Sequence, residues 1–577
     1  MRSINMEHPF PMPCVGLQQV PDTRTQIAVS LIVLASAISL AHALWLGTVT
    51  DDAGIALAYA RTFASGQGLR LTPLSARVEA YSDPLWVCWL ALGYLLGIGG
   101  SMFAHVSGAM FAALALLLTG LVPSVAEGRP PQLLDAVAPW LLAFDTTYNY
   151  WAGAGLETGA FAFALAATFV LLASRSRWSA LPAGLLAVLR PEGLVYVLLA
   201  APLVKHRERR TAGATIQWLV LAALPATAWL LFRLAYYGQW LPNSFFAKRT
   251  LQYGAIAYLS AWFSHDWWHW ALCLSPLALL SHRTQRCGAL AYAACTAGVA
   301  FVFFSGGDWM IEHRFAAHVL PAAALASGLV PTAVNDLFGF RFAGVTVAVS
   351  FVAAAFAGAR ARSPERHLKP ELPLTYVAEQ GRWFRDEARR LGLVRPRIAH
   401  FDIGGIALES GGEVIDLAGL GDLYIGRVGY HAEQAVRDYI FDEVKPHMIN
   451  IHGPCVYLRN DARLWRDYVW AASGLWGENW VRKQLARGFD DRCPSGHPPG
   501  DLEARLSNAT AVEARDLWLC ALAHVTSPPD VSARARHFAD LGLREKQGAR
   551  ERLDAAVTLD PGQIRAAQRL LDLRLAR

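Results

Sequence analysis

The sequence predicts an α-helical multi-pass membrane bundle of about eleven spans, followed by a C-terminal soluble domain of mixed α/β and helical character. Two observations predict it. The 577-residue chain is 54% hydrophobic and only 17% charged, and its apolar residues lie in long runs that stop near Arg360, where charge returns. Its basic residues also gather in short loops, which sets an orientation by the positive-inside rule. Three segments follow: a cytoplasmic tail over 1–25, a transmembrane domain over 26–360 and an extracytoplasmic domain over 361–577.

A run of roughly 20 apolar residues crosses a bilayer. Such runs fall at 26–49, 83–100, 102–124, 156–174, 213–236, 266–281, 287–304, 313–333 and 339–360. Shorter or interrupted runs fall at 133–147 and 178–204, the second broken by Arg190-Pro191-Glu192-Gly193, where Pro removes a backbone donor. The first run is too long for a signal-peptide core and lacks a small-residue cleavage site, so it reads as a retained anchor. Arg2 and Arg24, Arg175 and Arg177, the 205–210 cluster and the basic turn 282–286 are then cytoplasmic. Asp51-Asp52, 149–157, 190–192, 236–248, 305–314 and the soluble domain face the other side. The pattern leaves the parity between 120 and 150 open. The net charge of +6 resides largely in these loops, which argues against a nucleic-acid partner.

The eight cysteines show no Cys-x-x-Cys and no accompanying His pair, so no zinc site is expected. No metal ligand is assigned and no cofactor is required, with divalent-metal dependence open. In an oxidising compartment Cys493 and Cys520 are expected to pair and Cys455 to stay free.

The rest of the chain is organised around the stretch from Asp51 to Trp86. Two adjacent carboxylates directly follow the first apolar run. Charge at a membrane surface is costly and marks a functional candidate. Ile55, Tyr59 and Phe63 then fall on one helical face, and Gly66 and Gly68 end the helix. Two readings stand side by side. Asp51 and Asp52 cap a surface helix, or one of them is a general base whose proton affinity its neighbour raises.

An acidic pair after the first span resembles the GT-C superfamily, the multi-spanning glycosyltransferases that use lipid-phosphate sugars. The blocks Asp51-Asp52-Ala53, Tyr59-Ala60-Arg61, Gly66-Gln67-Gly68-Leu69 and Glu79-Ala80-Tyr81-Ser82-Asp83-Pro84-Leu85-Trp86 resemble the actinobacterial terminal β-(1→2) arabinofuranosyltransferase family and its bacterial relatives. Ala80 stands where those relatives have Gly, Asp83 where they have Asn, and Gly54 where they have an aromatic. The resemblance covers much of 45–425. It implies a lipid-facing groove, a polyprenyl-phosphate sugar donor, a bacterial inner-membrane location, and an envelope glycan, glycolipid or protein as acceptor on the outer face.

The same resemblance selects further residues. Asp51 and Asp52 are the catalytic candidates. Tyr59, Arg61, Glu79, Tyr81 and Asp83 belong to the first blocks as substrate-binding candidates. Ser305-Gly306-Gly307-Asp308-Trp309, with His313-Arg314 downstream, offers a carboxylate for sugar hydroxyls and a guanidinium for phosphate; its bland alternative is an interfacial loop with a snorkelling Arg. Glu157 opens a span, and Arg190 and Glu192 flank Pro191; helix capping and mutual pairing are the alternatives there. Pro242-Asn243-Ser244 leads to Lys248, a second cation for phosphate or an interfacial anchor. In the soluble part Asp402, Asp416 and Asp422 line an acceptor groove or stabilise turns.

The soluble part reads as a basic linker over 360–371, a helix near 375–391, buried strands at 397–401, 413–417 and 448–451, and helices after 501. Asn508-Ala509-Thr510 matches a glycosylation acceptor and carries little weight in a bacterial chain. The rival classes are a transporter or flippase of lipid-linked sugars and a non-catalytic envelope assembly protein. Transporters are often built from repeat halves, and the sequence shows none; an assembly protein has no need of the acidic pair.

Overall fold

A computed structural model describes residues 22–208, 212–248, 254–340, 342–473 and 477–485. The expected Cys493–Cys520 pair, the helices after 501 and Asn508 lie outside the described residues.

Helix α1 (Thr23–Leu46) starts where the Asp22 carboxylate accepts the Thr25 N–H at 2.9 Å, a side-chain N-cap. It is followed by α2 (Asp51–Ala64), α3 (Pro84–Leu95), α4 (Gly100–Glu127), α5 (Val137–Phe144), α6 (Thr146–Gly153) and α7 (Thr158–Ala173). Next come α8 (Ala180–Leu189), α9 (Gly193–Glu208), α10 (Ala212–Tyr237), α11 (Asn243–Lys248), α12 (Ala255–Phe263) and α13 (Leu277–Leu280). Then α14 (Gln285–Ser305), α15 (Arg314–Ala317), α16 (Leu320–Gly328), α17 (Val330–Phe338) and α18 (Ala343–Leu368) complete the apolar part. Among the described residues five helices are long and apolar enough to cross a membrane, or up to seven if the bent pairs α6–α7 and α15–α17 each make one span.

Several expected spans are corrected. Helix α3 has 12 residues, about 18 Å of rise, which is short of a hydrocarbon core of about 30 Å. Both its flanks stay at one end of the bundle: Trp86 Nε1 donates to the Gly155 carbonyl and His105 Nδ1 lies 2.6 Å from the Gly153 carbonyl. Helix α4 therefore leaves that end and α5 returns to it, where His42 of α1 meets the Ala143 carbonyl at 3.0 Å. The run 266–281 forms a 3-10 segment over Trp267–Cys273 and the single turn α13, because Pro276 cannot donate. The run 178–204 is two helices folded back at Gly193, where a Cβ would sit 2.1 Å from the Leu186 carbonyl carbon. The basic linker beginning at Arg360 is helical as far as Leu368.

At the opposite end, Arg283 meets Glu127 at 3.4 Å and Ser281 donates to Asp336 at 2.6 Å. The bundle core rests on small residues that admit close helix contact. A Cβ on Gly47 would lie 2.4 Å from the Gly153 Cα.

After α18, α19 (Leu374–Arg390) leads into a five-stranded sheet of order β2-β1-β3-β5-β4. The strands are β1 (Arg397–His400), β2 (Glu413–Asp416), β3 (Met448–Ile451), β4 (Tyr468–Ser473) and β5 (Glu478–Arg482). Strands β2, β1 and β3 run parallel, and β5 and β4 pair antiparallel. Short helices α20 (Gly404–Glu409) and α21 (Leu423–Val428) follow β1 and β2. The carboxyl ends of parallel strands are the usual place for a site in an open α/β sheet. Here that edge faces α2.

Candidate active site

Helix α2 holds α20 at both ends. The Asp51 carboxylate accepts the N–H groups of Gly404 (3.0 Å) and Gly405 (2.7 Å). Ten residues on, Arg61 donates to the carbonyls of Ala407 (2.9 Å) and Leu408 (2.6 Å). The Asp51 carboxyl oxygens at the N-terminus and the Arg61 guanidinium at the C-terminus satisfy backbone groups that the helix itself leaves unpaired. The main chain adds Asp51 N–H to the Leu372 carbonyl and Leu374 N–H to the Val49 carbonyl. Burial, and then the nearby Asp402, push the Asp51 carboxyl up to about 8 against the pull of its two N–H donors.

Asp52 has a different environment. Its side chain is 31% exposed, against 5% for the Asp51 residue. Its Oδ2 accepts from Arg314 Nη1 at 2.8 Å. Arg314 Nε donates to Asp308 Oδ2 at 3.1 Å, and Asp308 Oδ1 accepts the Tyr258 hydroxyl at 2.8 Å. Tyr258 in turn accepts the Phe315 N–H at 3.1 Å. Arg314 therefore bridges two carboxylates, with Trp151 and Phe315 rings 5.9 and 5.4 Å from its guanidinium carbon.

The backbone before Arg314 is strained. Glu312 (φ 53°) and His313 (φ 45°) are consecutive left-handed residues, each costing of order 1–3 kcal/mol. Glu312 is anchored all round: its carbonyl accepts from Trp151 Nε1 at 3.0 Å, and its carboxylate meets His265 at 2.7 Å and Arg366 at 2.8 Å. This anchorage aims Arg314 at Asp52. His313 faces Tyr258 and His265 through ring contacts and does not join the carboxylates.

Lys248, at the end of α11, is open to solvent. Surrounding protein, then the Arg314 cation, lower its ammonium below the usual value, while Asp52 and Asp308 pull the other way. Asp52, Arg314 and Asp308 thus form one charged chain, and Lys248 lies within electrostatic reach of all three. Arg190 pairs with Glu157 and Glu192, and Asp83 lies within electrostatic reach of that group. Arg190 in turn lies within reach of Arg314, so this buried cluster adjoins the Asp52–Arg314–Asp308 chain.

The remaining candidates lie elsewhere. The Tyr59 hydroxyl donates to the Val78 carbonyl, the Tyr81 and Tyr237 hydroxyls meet at 3.1 Å, and Glu79 pairs with Arg233 at 2.5 Å. All three are buried. Asn243 donates to the carbonyls of Gly419, Leu420 and Asp422. Asp416 accepts the N–H groups of Ala418, Gly419 and Gly421, and Asp422 accepts those of Ile425 and the Tyr439 hydroxyl. These two acids stabilise turns.

Asp402 has a partner that the sequence reading missed: His452 Nε2, at 2.8 Å. Asp402 follows β1 and His452 follows β3, on neighbouring parallel strands. Position directly after a strand was the available signal. Beside them His400 is buried, its Nδ1 accepting the Asp402 N–H and its Nε2 lying 2.8 Å from Gln380 Oε1. Burial, then His452, lower its pKa well below the usual value, so it stays neutral. Tyr258 was also missed. It lies in an apolar run with nothing in the local sequence to single it out.

The fold is similar to that of an archaeal oligosaccharyltransferase. Among solved structures, the archaeal oligosaccharyltransferase AglB from Archaeoglobus fulgidus, in complex with an inhibitory peptide and a dolichol-phosphate, is 12% identical, with a TM-score of 0.50 over 93% of this chain and 86% of that chain. Its apo form is 11% identical, with a TM-score of 0.50 over 78% and 74%. Apo ArnT from Cupriavidus metallidurans is 17% identical, with a TM-score of 0.41 over 80% and 99%. No family model matches the chain, and no curated protein matches it. At these identities the likeness is one of fold.

Proposed function

We propose that the protein is a glycosyltransferase that moves a sugar from a polyprenyl-phosphate donor to an envelope glycan, glycolipid or protein on the outer face of a bacterial inner membrane. The observation that carries the reading is the Asp52–Arg314–Asp308 chain with Lys248 within electrostatic reach of it. The sugar is a pentose, arabinofuranose among them, or a hexose.

Asp52 serves as the base and Asp51 as a positioning residue. Both Asp51 oxygens are occupied by α20 and shielded from solvent, whereas the Asp52 side chain is partly exposed. In the reaction the acceptor oxygen attacks the anomeric carbon, Asp52 takes its proton, and the anomeric carbon–phosphate oxygen bond breaks. The leaving polyprenyl phosphate carries away the bonding pair. Arg314 and Lys248 hold that phosphate. Donor phosphate competes with Asp52 for Arg314, so donor binding hands the carboxylate over to the acceptor hydroxyl. Asp308 and Tyr258 keep the guanidinium in place during that exchange.

The test is incubation of the purified protein with a panel of labelled polyprenyl-phosphate sugars and envelope extracts. Transfer from at least one donor supports the reading. Release of intact donor across a vesicle membrane, without transfer, supports the flippase alternative instead.

A further inference from the structure

A second polar cluster lies apart from the acidic pair. Asp145 sits between α5 and α6, and Asp266 and His269 lie in the turn after α12. All three are fully buried, with one ligand-type atom from each within 4.8 Å of the others.

The hydrogen bonding there is incomplete. Neither Asp266 carboxylate oxygen has a hydrogen-bond partner. Arg362 Nη1 stands 3.8 Å from Asp266 Oδ2 and lacks a hydrogen-bond partner of its own. A buried carboxylate left this way is destabilising unless a cation compensates it. The histidine is also informative. His269 Nδ1 lies 2.9 Å from the Trp262 carbonyl, which only accepts, so Nδ1 carries the proton. In the neutral ring, Nε2 then presents a lone pair to Asp145 Oδ2 at 3.2 Å. Two acceptors facing each other need a cation between them or a proton on the ring. A backbone carbonyl on the far ring nitrogen is the arrangement that orients a metal-bound histidine. Asp145 is held in turn by the Tyr148 N–H at 2.7 Å and Trp268 Nε1 at 3.0 Å.

We infer that Asp145, Asp266 and His269 hold a divalent ion of the zinc or manganese type. One imidazole and two carboxylates suit these ions, whereas magnesium favours oxygen ligands and retained water. Two carboxylates with a single arginine nearby leave the negative charge that such an ion neutralises. The ion ties the turn after α12 to the α5–α6 corner. Helix α12 carries Tyr258, which supports Asp308 and the segment after Arg314. The site is therefore structural. Asp266 and His269 lie within one turn, but Asp145 is 124 residues from His269, so no short spacing motif holds the whole ligand set.

The test is the metal content and melting temperature of the full-length purified protein after exposure to zinc or manganese and removal of excess ion. The wild type is expected to retain about one equivalent, to melt at lower temperature after chelation and to recover when the ion is returned. Asp266→Asn and His269→Gln should lose the ion, and Asp52→Asn should keep it. A wild type that binds no stoichiometric ion and whose melting ignores chelator overturns the proposal. So does an ion lost in Asp52→Asn and kept in Asp266→Asn. If the Asp266 and His269 variants fail to fold, the wild-type chelation cycle decides alone.

Discussion

The Asp51 carboxylate accepts the Gly404 N–H at 3.0 Å, across 353 residues of sequence. The contact joins the start of α2 to the start of α20, the short helix after β1. Asp51→Ala would leave two buried N–H groups unpaired, at about 1–3 kcal/mol each. A lower melting temperature and faster proteolysis near residue 370 are expected. Gly404→Ala should behave similarly, because a Cβ there would lie 2.0 Å from the Asp51 carbonyl oxygen. Unchanged melting of both variants would contradict a docking role.

The same residue gives a pH signature. Burial and Asp402 raise the Asp51 carboxyl in the folded state from 3.8 to about 8, so between those values the folded protein binds the extra proton. Its contribution is fully present below about 4 and is lost as pH rises through about 8. Stability followed by denaturant titration should fall across that window through this term, and Asp51→Asn should flatten the slope. An unaltered slope in that variant refutes the assignment.

Arg314 is expected to act on the donor. Its two ion pairs use two of five N–H donors in a fixed fork. Lysine cannot reproduce that fork. Arg314→Lys should raise the KM for the lipid-phosphate donor by roughly tenfold or more, an order typical of a lost charge-assisted hydrogen bond. Tyr258→Phe should show a smaller effect in the same direction. If Arg314→Lys left donor KM unchanged, Arg314 would have no part in phosphate binding.

Orientation is a separate expectation. A reporter fused after Lys369, where α18 has ended, should be active only when exported. Activity of a cytoplasmic reporter at that position would place Asp52 on the wrong side for an envelope acceptor.

Much of this architecture is legible in the sequence because apolar runs and basic loops are local signals. The helix starting at Asp51, the strands near 397, 413 and 448, and the helix from Leu374 all emerge from short-range pattern. What was not legible depends on partners distant in the chain. Asp51 looks like a cap on its own helix, yet it caps α20. Arg61 reads as a substrate-binding candidate, yet it closes the other end of α20. Asp402 needs His452 and Arg314 needs Asp52, and neither pairing has a sequence spacing to betray it. Hydropathy also overcounts. The run at 83–100 is apolar enough to span, but its helix is only 12 residues long, and burial against the bundle satisfies it instead.

The central claim is that Asp52, not Asp51, accepts the proton. It is tested most directly by the turnover of purified Asp52→Asn in sugar transfer, with folding verified by thermal melting. Asparagine keeps the shape and a hydrogen bond to Arg314 but removes proton acceptance, which is worth about 10²–10⁴-fold in rate. The account predicts a loss of that order in kcat with near-normal melting. Asp52→Asn turnover close to wild type would contradict it.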